Sequence, residues 1–120
     1  MALILAIEDD NVVSMLIAAT LKKHRIVLAS DGASGMRMAH DLNPDAVLLD
    51  VGMPDINGLE ICEAIRRDPV TKNTPIMLVT AWTDVVGDEQ RWRALGANAA
   101  LAKPFSPAKL NAMVDKLLVD

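Results

Sequence analysis

The chain has almost no aromatic residues: no Tyr, one Phe and two Trp, 2% in all. Its interior must therefore be packed from Ala, Val, Ile, Leu and Met, and the seven Met are expected to fill gaps between branched neighbours. Cysteine is nearly absent too. The single Cys62 excludes an intrachain disulfide and fits a reducing compartment. It lies between Leu59 and Ile65 at helical spacing, which marks it as a packing residue rather than a reactive thiol. No apolar stretch approaches the length of a membrane span. The opening run Met1 to Ile7 has no basic flank and ends in acids, unlike a secretion signal. No basic run stands out, the net charge is −4 and the pI about 5.0. That balance argues against nucleic acid or a membrane as the direct partner. The expected location is the cytoplasm.

What is present is apolar residue, 52% of 120 positions. That is enough for one domain over 1–120 with a sizeable core. The runs Leu3–Ile7, Ile26–Ala29, Ala46–Leu49 and Ile76–Val79 do not alternate with polar residues, so each reads as a strand buried on both faces. Asn98–Ala102, rich in Ala, reads as a fifth. Helical patterns fill the intervals. The first is capped by Asp10 or Asn11 and runs to about His24. The second covers Ala33–Leu42 and the third Gly58–Arg67. The fourth is headed by Asp88 and stopped by Gly96, with Ala81–Gly87 a loop or frayed start. The last follows the Ser106-Pro107 cap and buries Leu110, Met113, Val114 and Leu117. His24 and His40 have no His or Cys partner at metal-ligand spacing and read as surface residues. Five strand–helix units of this kind predict an α/β fold: a parallel sheet with helices on both faces.

The polar residues converge where the strands end. Glu8 and Asp9 end the first strand, Asp50 the third, Thr80 the fourth and Lys103 the fifth. In a parallel sheet these carboxyl ends share one edge, where ligands of such folds bind. Close carboxylates repel one another, and a hard divalent cation removes the conflict; oxygen donors select Mg2+ over Zn2+. With Lys103 opposite, the set becomes an electrostatic clamp for a phosphoryl group. Asp50 is then a candidate nucleophile forming an acyl phosphate, and Thr80 a donor to a phosphoryl oxygen.

Together, Glu8-Asp9, the Leu48-Leu49-Asp50-Val51-Gly52-Met53-Pro54 segment, Thr80-Ala81 and Lys103-Pro104 resemble the receiver domain of two-component response regulators. The likeness runs through essentially the whole chain. It implies a flavodoxin-like, doubly wound five-stranded sheet of order 2-1-3-4-5 with about five helices. It also implies phosphorylation of Asp50 from a histidine kinase or histidine phosphotransfer protein. The resemblance assigns Mg2+ to Asp9, Asp50 and the Gly52 carbonyl, with Glu8 acting through water, and the phosphoryl contacts to Thr80 and Lys103. It points to a cis peptide at Lys103-Pro104. A downstream protein is expected on the face made by the fourth helix, fifth strand and last helix, with phosphorylation-dependent dimerisation on the same face. No enzymatic turnover is expected beyond self-phosphorylation and slow self-dephosphorylation.

Two positions depart from the common pattern. Ala100 occupies the slot where many receivers carry the Tyr or Phe that moves on activation, so Trp82 or Trp92 is expected to substitute, or the response to stay in the loops. Gly52 and Trp82 stand at the positions that tune acyl-phosphate lifetime. Trp82 either shields the phosphoryl group, which predicts slow hydrolysis, or serves as an exposed docking residue. The chain stops after its last helix, which suggests a stand-alone receiver or one cut from a longer protein. Two alternatives stay open: an aspartyl-phosphate phosphatase, for which Glu8-x-Asp10 is a weak mimic, and a receiver-shaped module that never carries phosphate.

Overall fold

A computed structural model describes residues 1–119; residue 120, within the expected span of 1–120, lies outside the described residues. Five strands, β1 (Leu3–Ile7), β2 (Arg25–Ala29), β3 (Ala46–Leu49), β4 (Ile76–Thr80) and β5 (Ala99–Ala102), form one sheet. Every pairing is parallel and the order is β2-β1-β3-β4-β5. Between and after them run α1 (Asn11–Thr20), α2 (Gly32–Leu42), α3 (Gly58–Arg67), α4 (Thr83–Val86), α5 (Glu89–Ala94) and α6 (Pro107–Leu118). Among the described residues no helix is long and apolar enough to cross a membrane.

Successive strand side chains point to opposite faces, which builds two cores. Leu5, Ile7, Val47, Leu49, Ile76 and Leu78 face α2, α3, α4 and α5, where Ala39, Ile61, Cys62, Val85 and Trp92 meet them. Ile4, Ala6, Leu48, Met77 and Val79 face α1 and α6 through Ile17, Leu21, Leu110 and Val114. Each fully buried Leu or Ile contributes about 1.5–3 kcal/mol. Met77 and Met53 are buried as expected of gap-fillers, but Met1 and Met15 are exposed. Cys62 is fully buried, and burial pushes its thiol up to about 11, so it stays protonated and inert.

Local chemistry accounts for the helix ends. Asp10, Asp31, Asn57 and Ser106 cap α1, α2, α3 and α6 with side-chain oxygens on first-turn N–H groups. Three expectations shift. The first helix stops at Thr20, where residues 21–23 form a turn. The stretch 81–96 holds two helices, giving six rather than five. Asp88 caps α5 by accepting from Arg91 N, which starts a new helix directly after the single turn of α4. Finally, Asn98 precedes β5 and does not belong to it: its Oδ1 accepts from Ile76 N.

Candidate functional site

Backbone bonds at the strand ends set the site. Glu8 N donates to Ala29 O at 2.9 Å, Asp50 N to Ile7 O at 3.0 Å, and Lys103 N to Thr80 O at 2.9 Å. These extend the ladder by one residue and hold Glu8, Asp50, Thr80 and Lys103 along a single edge. The β3–α3 loop then turns back over β3. Gly58 N donates to Val51 O at 2.9 Å, and a Cβ at Gly58 would collide with the Asp50 carbonyl oxygen and the Val51 Cα. Only glycine permits that approach. The same loop is tied to α2, since the Asp55 carboxylate accepts from Gly32 N at 3.0 Å and Ala33 N at 3.1 Å.

The carboxylates of Glu8, Asp9 and Asp50 bring one oxygen each to within 4.8 Å of one another. Lys103 Nζ lies 2.6 Å from Glu8 Oε1 and 3.4 Å from Asp50 Oδ2. Glu8 and Asp50 are buried, whereas Asp9 is exposed and opens the cluster to solvent. Burial raises the Glu8 pKa from 4.5 to about 7, and the Asp50 charge adds to it. The Lys103 hydrogen bond and the Asp10 N–H, which donates to Glu8 Oε2 at 3.1 Å, oppose that rise without cancelling it. Burial also works against the Lys103 ammonium, but Glu8 and Asp50 outweigh it and its pKa is raised.

Glu8 Oε1 is buried and its one partner is the Lys103 ammonium at 2.6 Å. Three carboxylates against that one ammonium leave the all-oxygen cluster short of positive charge, which a small divalent cation supplies. The residues present fit Mg2+.

Asp50 Oδ1 accepts from Gly52 N at 3.1 Å. Thr80 is fully buried at the end of β4 and its hydroxyl accepts from Trp82 N at 3.2 Å. Trp82 is 44% exposed and its indole lies against Gly52, with Nε1 3.1 Å from where a Cβ on Gly52 would stand. Ala100 packs in the same core as Trp92, whose Nε1 donates to Val86 O at 3.2 Å. Of the two tryptophans, Trp82 thus lies against Gly52 and Trp92 shares a core with Ala100. The peptide Lys103-Pro104 is cis, as expected. Asp10 caps α1, accepting from Val12 N at 2.8 Å. The contributions of Gly58 and Asp55 escaped the sequence reading. Gly58 carries only the signal of a glycine at a helix start, and the Asp55 partners lie more than twenty residues away.

The chemotaxis protein CheY4 of Vibrio cholerae superposes with a TM-score of 0.89 at 30% identity, over 98% of each chain. The receiver domain of sensor histidine kinase PA1611 from Pseudomonas aeruginosa, solved with a magnesium ion in its active site cleft, superposes at 0.88 and 30% identity. That match covers 99% of this chain and 98% of that one. The transcriptional regulator RpaA of Synechocystis is 33% identical over 117 residues, 96% of this chain and 48% of its own length. The chain spans about half the length of such curated relatives. The sequence also matches the family model of the response regulator receiver domain over residues 4–115, a stretch that takes in all but the start of β1, every other strand and the whole acidic edge. The chain belongs to that family of two-component signalling domains, whose members act with histidine kinases and downstream partners.

Proposed function

We propose that Asp50 receives a phosphoryl group in a Mg2+-dependent reaction and that the modified domain changes its partner binding. The observation that carries this reading is the meeting of three carboxylates with the single Lys103 ammonium on one sheet edge, which leaves negative charge for a cation to balance. The donor is a phosphohistidine on a histidine kinase or phosphotransfer protein in the cytoplasm. A carboxylate oxygen of Asp50 attacks phosphorus, the P–N bond breaks, and its electron pair returns to the imidazole, which takes up a proton. The product is an acyl phosphate.

Asp50 is pre-oriented for this by the Gly52 N–H. Lys103 Nζ, already 3.4 Å from Asp50 Oδ2, is at hand for a phosphoryl oxygen. The Thr80 hydroxyl accepts from Trp82 N, so its own proton remains free to donate to the phosphoryl group. Asp9, Asp50 and the Gly52 carbonyl would hold Mg2+, with Glu8 acting through water; when bound, the ion neutralises the carboxylates and the transferring oxygens. Trp82, packed on Gly52, shields the acyl phosphate from water. No turnover of other substrates is proposed. The output surface is the α5–β5–α6 face, open to a protein partner or a second copy, and 1–120 acts as one receiver unit.

Incubation with acetyl phosphate and Mg2+ tests the reading by intact mass. The expected result is a gain of one phosphoryl group, lost on chelation of Mg2+ and in Asp50→Asn. A wild-type mass that stays unchanged, or an Asp50→Asn variant labelled equally well, overturns it.

A further inference from the structure

Two hollows adjoin at the amino ends of β4 and β5, on the opposite edge of the sheet from Asp50. The smaller, about 370 Å3, is lined by Arg66, Lys72 and Arg93 with Asn73 and Asn98. The larger, about 500 Å3, presents Trp92, Ala100, Met113 and Leu117, with Arg93 and Lys116. Asn73, Arg93 and Asn98 line both, so the two form one groove indenting the α5–β5–α6 face. Four of the chain's twelve Lys and Arg line it and, among the described residues, no Asp or Glu does. In a chain of net charge −4, that segregation is not a by-product of composition.

Arg66 gives the groove a fixed charge. Its Nε donates to Gly96 O at 2.9 Å, Nη1 to Thr74 O at 2.6 Å and Nη2 to Asn98 Oδ1 at 2.9 Å. All of these acceptors are neutral. Among the described residues no carboxylate pairs with Arg66 or with Lys72. A half-buried guanidinium without a counter-charge is costly, and burial lowers its pKa accordingly. One N–H of Nη2 is not used by these bonds. Arg93 is held by Glu89 at 2.6 Å across one turn of α5, an exposed contact that exchanges readily for a better partner.

We propose that this groove binds a soluble nucleoside phosphate, its phosphate among Arg66, Lys72 and Arg93 and its ring in the larger hollow against Ala100, Met113 and Leu117, beside the buried Trp92 whose ring the Arg93 guanidinium covers at 4.9 Å. The free Nη2 N–H of Arg66, the Arg93 guanidinium and the Lys72 ammonium together match a multi-oxygen anion better than a single carboxylate. The hollows have the size of ligand sites. The small Ala100 side chain leaves the larger hollow open for the ring. The site lies at the far edge of the sheet, so it can fill while Asp50 is in use, and it does not depend on the phosphoryl reading.

A 15N-resolved NMR titration with ATP and with GTP, in EDTA, tests it, with inorganic phosphate as a head-only probe. The nucleotides should shift the Gly96 and Asn98 amides and the Trp92 indole N–H saturably, leaving Gly52 unmoved. Inorganic phosphate should shift Gly96 and Asn98 alone. The double variant Lys72→Glu/Arg93→Glu should weaken nucleotide binding about tenfold or more. Ala100→Phe should suppress the Trp92 response and keep that of Gly96. The proposal is overturned by any of four results: no saturable shift, shifts confined to Gly52 and Asp50, shifts that survive charge reversal, or equal competition by poly-glutamate or phosphatidylglycerol vesicles. Phosphoryl labelling of Asp50 is read separately by mass, so failure here leaves that conclusion standing.

Discussion

At the carboxyl edge of the sheet, buried charges face one another; at the amino edge, the buried charge faces neutral oxygens. Glu8, Asp50 and Lys103 share one pocket, and Glu8 Oε1 is left with a single ionic neighbour. Arg66, by contrast, spreads its N–H groups over the carbonyls of Gly96, Thr74 and Lys72 and the Asn98 side chain. The first arrangement crowds three carboxylates around one ammonium. The second spends all but one N–H on neutral oxygens and holds the ends of α3, β4 and β5 together, with no carboxylate against it among the described residues. The contrast teaches that each edge leaves charge unbalanced, negative at the carboxyl edge and positive at the amino edge, and that only at the amino edge does the charged group also hold the frame.

The sharpest way to break the contrast is Arg66→Ala. It leaves several carbonyls without donors at once and should cost roughly 2–4 kcal/mol in urea unfolding. The folded fraction should still be labelled at Asp50. A loss below roughly 0.5 kcal/mol would show that the amino edge does not depend on this clamp.

The next effect belongs to Glu8. Its pKa is raised, from 4.5 to about 7, so the folded chain keeps a proton that the unfolded chain releases. That contribution to metal-free stability is whole below pH 4.5 and is lost as pH rises toward 7. A cation must displace the same proton, so Mg2+ affinity should rise about tenfold between about pH 6 and pH 8. Calorimetric titration at the two pH values checks this, and a flat affinity would count against a buried, protonated Glu8.

A smaller effect is expected at Trp82. Trp82→Ala should shorten the acyl-phosphate lifetime severalfold by opening the Gly52 side to water, followed as the decay of the phosphorylated mass. An unchanged decay would reassign the exposed indole to partner docking.

The smallest concerns an exposed pair between the ends of α2 and α3. His40 Nδ1 sits 2.6 Å from Asp68 Oδ2, which raises the His40 pKa and lowers that of Asp68. The pair stabilises fully below the ordinary histidine pKa of 6.5 and fades as pH climbs through the raised value. His40→Ala should therefore melt earlier than wild type near about pH 6 and nearly match it near about pH 9. A difference that grows with pH would refute the pairing.

Much of this was legible in the chain. The strands announced themselves because unalternating apolar runs need burial on two faces, and Asp10, Asp88 and Ser106 marked helix starts because capping is local. Glu8, Asp9, Asp50, Thr80 and Lys103 could be assigned to one edge because a parallel sheet aligns its strand ends. The start of α5 at Asp88 was legible, but α4 was not, since its single turn has no side-chain cap to mark it. His40 read as an unpartnered surface residue because Asp68 is 28 positions away.

Local chemistry thus determined the order of elements, the sheet's parallel character and the set of residues delivered to its carboxyl edge. Periodicity, capping and turn preference act over a few residues and need no partner. Only the tertiary structure decided that Lys103 sits closer to Glu8 than to Asp50, that Trp82 leans on Gly52 while Trp92 stands by Ala100, and that Arg66 collects the opposite edge. Those contacts join residues distant in the chain. Their distances follow from how the layers pack, which no short stretch of sequence encodes.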